Sequence, residues 1–243
     1  MNYVSADWNN CETYEKFLED LKGKAKQEDA EHYARHKAII NTKQYVYALK
    51  MCDIRNIAKQ VLKGDYDTFL KVATNNSYEE TLIQGIVIVQ IKDIQKQVCY
   101  LKNWIKNIDN WSTCDSVIST MKILGKSKNK TNYFDWFYGL CFNESEFIAR
   151  FGIVTIMCYY LEKEYLSRVL EICRGVKSDA YYVKMAVAWL ISYLFVKFKD
   201  ETYNLFAEKC LDKFTQNKAI SKCRDSFRVS KEDKENLINY RIK

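Results

Sequence analysis

Ser77-Tyr78-Glu79-Glu80-Thr81-Leu82-Ile83-Gln84-Gly85-Ile86-Val87-Ile88-Val89-Gln90-Ile91 is the stretch that decides the fold. Ser77 and Glu80 stand three apart ahead of an apolar run, the spacing of a capping box that satisfies free backbone N–H groups at a helix start. From Leu82 to Ile91 the run is apolar nearly all round. A surface helix would leave one face polar, so this helix is predicted to be central, enclosed by others.

Upstream, Tyr14, Phe17, Leu18 and Leu21 recur at spacings of three and four within Glu12–Lys24, an amphipathic helix, and Glu28–Ile40 continues in helix-compatible fashion. The segment Asp53-Ile54-Arg55-Asn56-Ile57-Ala58-Lys59 runs on to Leu62, with Ile54, Ile57, Ala58, Val61 and Leu62 as one stripe. Gly64 then ends that helix and Asp65 caps the next. Downstream, Val98, Leu101, Trp104, Ile105 and Ile108 form a further stripe. A helix opening at Trp111 is predicted to continue through Val117, Ile118, Met121 and Leu124 into a short basic loop, 125–130. Helix pairs follow at 133–142 with 146–161, 164–176 with 180–198, and 201–214 with 218–227. Ser145 and Ser178-Asp179 are the expected N-caps of the two apolar members. Almost nothing alternates as a strand does. Helix pairs every 35 to 40 residues or so, each second member strongly apolar, predict an all-α chain: a curved α-solenoid of HEAT-like helix pairs. The expected organisation is one repeat domain over 1–243, with N-terminal helices in 1–40 and a basic helical segment in 213–243.

Composition agrees and excludes several classes. Proline is absent, against a usual share of about 5%, which favours uninterrupted helices. The net charge of +7 permits a phosphate-bearing partner without demanding one. Nine cysteines occur with no C-x-x-C pair, and the odd count points away from both a zinc site and a disulfide framework. No basic, apolar leader opens the chain, and its longest apolar runs fall short of the ~20 residues a membrane span needs. The expectation is a soluble, reduced, cytoplasmic protein, monomeric and without a membrane partner.

Against this background four side chains stand out. Trp111 and Asp115 lie one helical turn apart and so share a face. Arg150 interrupts the apolar run 148–161, and Trp189 sits in a third apolar element. Taken singly, each has a plain explanation: a helix tryptophan is usually core, and a carboxylate near a helix start can interact with its own dipole. The arginine is harder to dismiss, because a buried guanidinium needs a partner, and Asp115 would satisfy it as a structural pair. Arg150 lies 39 residues after Trp111, and Trp189 lies 39 after Arg150. The local apolar pattern prefers an offset of 35, one turn different, so either register puts Arg150 and Trp189 on corresponding faces. Convergence of the four would make an aromatic-walled cleft holding one cation and one carboxylate.

Trp111-Ser112-Thr113-Cys114-Asp115-Ser116, Arg150 at the head of an apolar helix, and Ala188-Trp189 together resemble the AlkD-like DNA alkylation repair family. The segments 53–59 and Gln84-Gly85 resemble its other recurring elements, and the likeness extends roughly from Lys37 to Lys231. It implies a HEAT-like solenoid that binds duplex DNA and hydrolyses the glycosidic bond of cationic N3- and N7-alkylpurines without base flipping. Asp115, Trp111 and Arg150 would be catalytic, with no metal and no cofactor. Trp189 would flank the sugar–phosphate, and Arg55, Lys122, Lys126, Lys128 and Lys130 are further candidate DNA contacts.

The chain departs from the family pattern at Cys158 and Ser192, where basic residues would meet the DNA backbone. Each lost phosphate contact should flatten the salt dependence of binding by about one unit. Residues 213–243 hold nine Lys/Arg against four Asp/Glu, with Lys218, Lys222, Arg224 and Arg228 close together, though such runs are more often solvated faces. His32 and His36 are one turn apart with no third ligand in view, the pattern of a surface pair. Two other readings stand beside the glycosylase. One is a catalytically silent DNA-binding solenoid for distorted or branched DNA, which the neutral Cys158 and Ser192 favour. The other is a helical-repeat adaptor for a protein partner.

Overall fold

The computed structural model describes residues 1–25, 30–125 and 130–243, without the side chains of Ala30, His32, Ile123 and Gly125. Lys126, Lys128 and the His32 side chain therefore lie outside the described residues. The chain is all-α and divides into two compact units, Met1–Ser127 and Lys128–Lys243.

The first unit contains α1 (Cys11–Lys24), α2 (Ala30–Ile40), α3 (Met51–Lys63), α4 (Tyr66–Val72), α5 (Tyr78–Ile88), α6 (Ile94–Trp104), α7 (Trp111–Thr120) and α8 (Lys122–Gly125). The stretch that predicted the fold is α5, and every one of its residues is buried. Ser77 caps it, accepting the Glu80 N–H, while its own hydroxyl donates to the Glu80 carboxylate at 2.6 Å. Helix α5 packs between α3 and α7. The close approach requires a glycine: a Cβ on Gly85 would lie 2.3 Å from Trp104 Cζ2 and 2.6 Å from Val117 Cγ2. Gly64 and Asp65 stop and restart the chain as read, the Asp65 carboxylate accepting the Thr68 N–H.

The second unit contains α9 (Thr131–Leu140), α10 (Glu146–Tyr159), α11 (Leu166–Gly175), α12 (Tyr181–Lys197), α13 (Lys199–Ala207), α14 (Lys213–Asp225) and α15 (Lys231–Asn236). Here α12 is the central member, packed against α10 and α14. The odd-numbered helices form a second row tied together by polar contacts. Arg168 of α11 pairs with Asp135 of α9, 33 residues away, and Tyr138 donates to Glu171 at the same separation. Arg174 grips Glu208 through two 2.7 Å bonds, 34 residues on, and Lys199 meets Asp233 at 3.3 Å. The repeat is thus written in the hydrogen bonds as a period near 34.

Three expectations need correction. Helix α7 stops at Thr120 instead of running to Leu124, and Met121 breaks it from α8. The Ser119 and Thr120 hydroxyls both donate to the Ser116 carbonyl, competing with the helical ladder. Ser178-Asp179 does not cap α12; Ala180 holds that position, and the Tyr182 N–H goes to Glu146 Oε1 of α10 at 2.7 Å. In the last pair the first helix, α13, ends at Ala207 and not at 214, and α14 starts at Lys213 and not at 218, because Asp212 caps it by accepting the Thr215 N–H; α14 is also largely polar, not the apolar second member expected.

Candidate nucleic-acid interface

Within the first unit, α7 presents Trp111 and Asp115. Its start is fixed by buried Asn110, whose Oδ1 accepts the Thr113 N–H at 2.8 Å while its Nδ2 reaches Asp109 and Thr113. Cys114, Val117 and Ile118 turn inward. Trp111 and Asp115, one turn apart at the edge of that face, are half-exposed. Trp8 and Trp104 show the alternative fate, at 1% and 3% exposed. The Trp111 indole is held in place, since its Nε1–H donates to the Ile39 carbonyl at 2.9 Å. It walls a cavity of about 330 Å³ with Arg35, His36, Ile39, Ile40 and Ser112. Lys122 is exposed just beyond the helix, and Arg55 is exposed on α3, next in sequence to buried Ile54.

Within the second unit, α10 buries Arg150 at 5% exposure. Its Nη1 donates to the Tyr182 carbonyl at 3.1 Å, and its guanidinium carbon sits 5.9 Å from the Tyr182 ring centroid. Glu146, one turn earlier, takes the N–H of that same Tyr182. The two side chains bracket one residue of the next repeat, Glu146 taking the Tyr182 N–H and Arg150 donating to the Tyr182 carbonyl, so the guanidinium is tied to α12.

Trp189 is half-exposed on α12 and stands 6.1 Å from the Tyr193 ring, edge to face. Lys222 of α14 places its Nζ 5.8 Å from the Trp189 ring centroid, and the Arg228 guanidinium lies 5.1 Å from that of Tyr193. These four residues line a cavity of about 250 Å³ together with Ser192, Asp225 and Ser226. Burial, then the nearby charges of Lys218 and Arg150, push the Lys222 amine below its ordinary value, and Asp225 offsets part of this. Ser192 is buried, its hydroxyl donating to the Trp189 carbonyl at 2.7 Å, while Cys158 is exposed on α10.

Lys130 differs from the other basic candidates. Its ammonium donates to the Tyr159 carbonyl at the end of α10, pairs with Glu162 at 2.5 Å and lies over the Tyr160 and Tyr165 rings. The position fits a brace for the α10 terminus.

The fold thus sets Trp111 and Asp115 on one face of the first unit. In the second it gives Arg150 and Trp189 a shared neighbour in Lys222. Lys222, Arg228 and Tyr193 were visible beforehand only as members of a charge run or an apolar helix, and Glu146 carried no signal beyond its place at a helix start. Among the described residues no group of three or more His, Cys, Asp or Glu can hold a metal ion, and no helix is long and apolar enough to cross a membrane.

Neither a curated protein nor a solved structure matches the chain. One family model does, described as DNA alkylation repair enzyme, over residues 17–219. That range includes Trp111, Asp115, Arg150 and Trp189, and it ends before Lys222. The chain belongs to the DNA alkylation repair enzyme family.

Proposed function

We propose that the chain is a DNA N-glycosylase that releases cationic N3- and N7-alkylpurines from duplex DNA without flipping the nucleotide. A cationic base is already a good leaving group, and its departure leaves positive charge on the deoxyribose. A carboxylate facing that charge stabilises the transition state more than the ground state, which is what accelerates a reaction. Asp115 fills this role and orients the attacking water. Indole faces beside the sugar add about 0.5–2 kcal/mol each through cation–π attraction. Trp111, one turn from Asp115, supplies one such face; in the second unit Trp189 lies against the sugar–phosphate backbone, and Arg150 is directed to a phosphate, a planar fork matching phosphate oxygens.

The observation that carries this reading is the state of the Trp111–Asp115 pair. Both are half-exposed on one face of α7, and the indole is locked by its bond to the Ile39 carbonyl. A tryptophan kept for the core would be enclosed as Trp104 is, and an aromatic wall for a ligand would be rigid and open, as Trp111 is. Membership of the alkylation repair family supports the lesion class.

The test is base release from a duplex containing 7-methylguanine. The Asp115→Asn variant should lose on the order of 10²- to 10³-fold, the scale of removing one preorganised electrostatic group. Neutral Cys158 and Ser192 favour a second reading, a silent binder of distorted or branched DNA. Salt-sensitive duplex binding with no base release by the wild type would select it.

A further inference from the structure

The proposed glycosylase reaction leaves an abasic deoxyribose, and its ring-opened form carries an aldehyde at C1′. An aldehyde is the partner of an amine, and the cavity beside Trp189 contains one. We propose that Lys222 is the nucleophile of a second activity, cleavage of the DNA strand at abasic sites through a covalent imine. The inference rests on the glycosylase reading for the position of the sugar beside Trp189. The amine itself stands on separate observations.

Lys222 comes from α14 and lies over the face of an indole on α12, in a cavity that also contains Asp225 and is flanked by Arg228. Lys218 and Arg150 are the cations close enough to bear on its charge. A lysine becomes nucleophilic when it is desolvated or set beside another cation, because both favour the neutral amine. Lys222 has both conditions, and its depressed basicity agrees. Its α14 neighbour Lys218 and, after the helix, Arg228 are available to the flanking phosphates. Lys222 and Arg228 lie beyond the residues matched by the family model, while Trp189 and Tyr193 lie within them.

The chemistry balances without an outside reagent. The Lys222 nitrogen adds to C1′, a proton moves from nitrogen to oxygen, and a second proton, taken from water as hydronium and returned when the imine is hydrolysed, lets water leave to give the protonated imine. The imine acidifies C2′–H, whose proton passes to water. The electron pair forms the C2′–C3′ double bond as the C3′–O bond breaks, releasing the 3′ phosphate as the 5′ end of the downstream strand. Water then hydrolyses the imine, returning the amine and leaving an unsaturated aldehyde on the upstream strand. One water is lost and one regained, and nothing is oxidised or reduced.

The experiment uses the full chain and a duplex in which the abasic site is made beforehand, so base release is not required. Sodium borohydride reduces an imine to a stable amine and links protein to DNA. The wild type should give a borohydride-dependent adduct, and peptide mass mapping should place it on Lys222. Lys222→Arg fills the space over Trp189 but cannot form an imine, and should lose the adduct while still binding the duplex. No adduct with the wild type, an adduct mapped to another amine, or an equal yield from Lys222→Arg would overturn the proposal. Trapping without release of 7-methylguanine would retain the lyase and remove the glycosylase. Release without trapping would do the reverse.

Discussion

Gly85→Ala adds one methyl group at the most crowded point of the first unit. The new carbon would sit 2.3 Å from Trp104 Cζ2 and 2.6 Å from Val117 Cγ2, where carbon atoms need about 3.5–4.0 Å. Trp104 cannot easily step aside, being 3% exposed with its Nε1–H bonded to the Thr81 carbonyl at 2.9 Å. Forcing in the methyl costs about 1–3 kcal/mol as overpacking. If the indole moves instead, its buried N–H loses a partner at a further ~1–3 kcal/mol. The better helix propensity of alanine returns about 1 kcal/mol. Overpacking and the lost partner together outweigh the propensity gain, and the net loss should be about 1–5 kcal/mol. In urea, with a slope of about 1–3 kcal/mol per molar, the midpoint should fall by on the order of 1–2 M. Helix α5 touches α7, which carries Asp115, so base release should fall as well; displacements near 1 Å can cost ~10²-fold. A midpoint that stays put or rises, followed by far-UV ellipticity, would refute the packing argument.

Two further expectations concern charge. Replacing Lys218 and Arg228 together by glutamine should lower the slope of log affinity against log salt by about two units, at ~0.9 per phosphate contact on duplex DNA. Fluorescence anisotropy titrations give this slope, and an unchanged value would mean that neither cation faces the backbone. Burial raises the Glu79 carboxyl above its ordinary range, although the N–H groups of Tyr47 and Leu49 oppose this. The folded chain therefore holds this proton more tightly than the unfolded chain, a contribution fully present below the ordinary carboxylate value and lost as pH rises through the raised folded value. The stability of the wild type relative to Glu79→Gln should decline across that window, and a difference independent of pH would refute the assignment.

What could be read from the residues follows the range of the forces involved. The Ser77–Glu80 cap and the apolar body of α5 are local signals, and the fold uses both. Gly64 and Asp65 are local too. The misplaced boundaries arose where a local rule had a competitor. Ser119 and Thr120 spend their hydroxyls on one carbonyl and end α7 early, although the apolar stripe continues to Leu124. The cap of α12 comes from Glu146, 36 residues away, which no scan of the α12 sequence finds. Trp111 and Asp115 could be singled out by their spacing, yet their partial exposure depends on which neighbours cover α7. Lys222 is the extreme case: in the sequence it is one cation in a basic run, and its meaning comes from the indole 33 residues earlier.

The same separation explains how neutral residues at 158 and 192 are compatible with cations beside Trp189. In the second unit, a polar group on one helix is repeatedly completed by a residue about one period away: Asp135 by Arg168, Tyr182 by Glu146 and Arg150, Glu208 by Arg174. Trp189 and Tyr193 follow that rule, receiving their cations from Lys222 and Arg228. A lysine at 192 would ride on the same helix as the indole, whereas Lys222 arrives on α14. Its place over the ring is therefore set by the α12–α14 contact, the most extensive helix contact in the unit, in which Ala186, Leu190, Ala219 and Ile220 are all fully buried. Charge delivered this way is less mobile than a long side chain beside its own tryptophan. It is also partly desolvated by burial. Those two properties suit an amine that must meet one carbon atom better than one that only neutralises a phosphate.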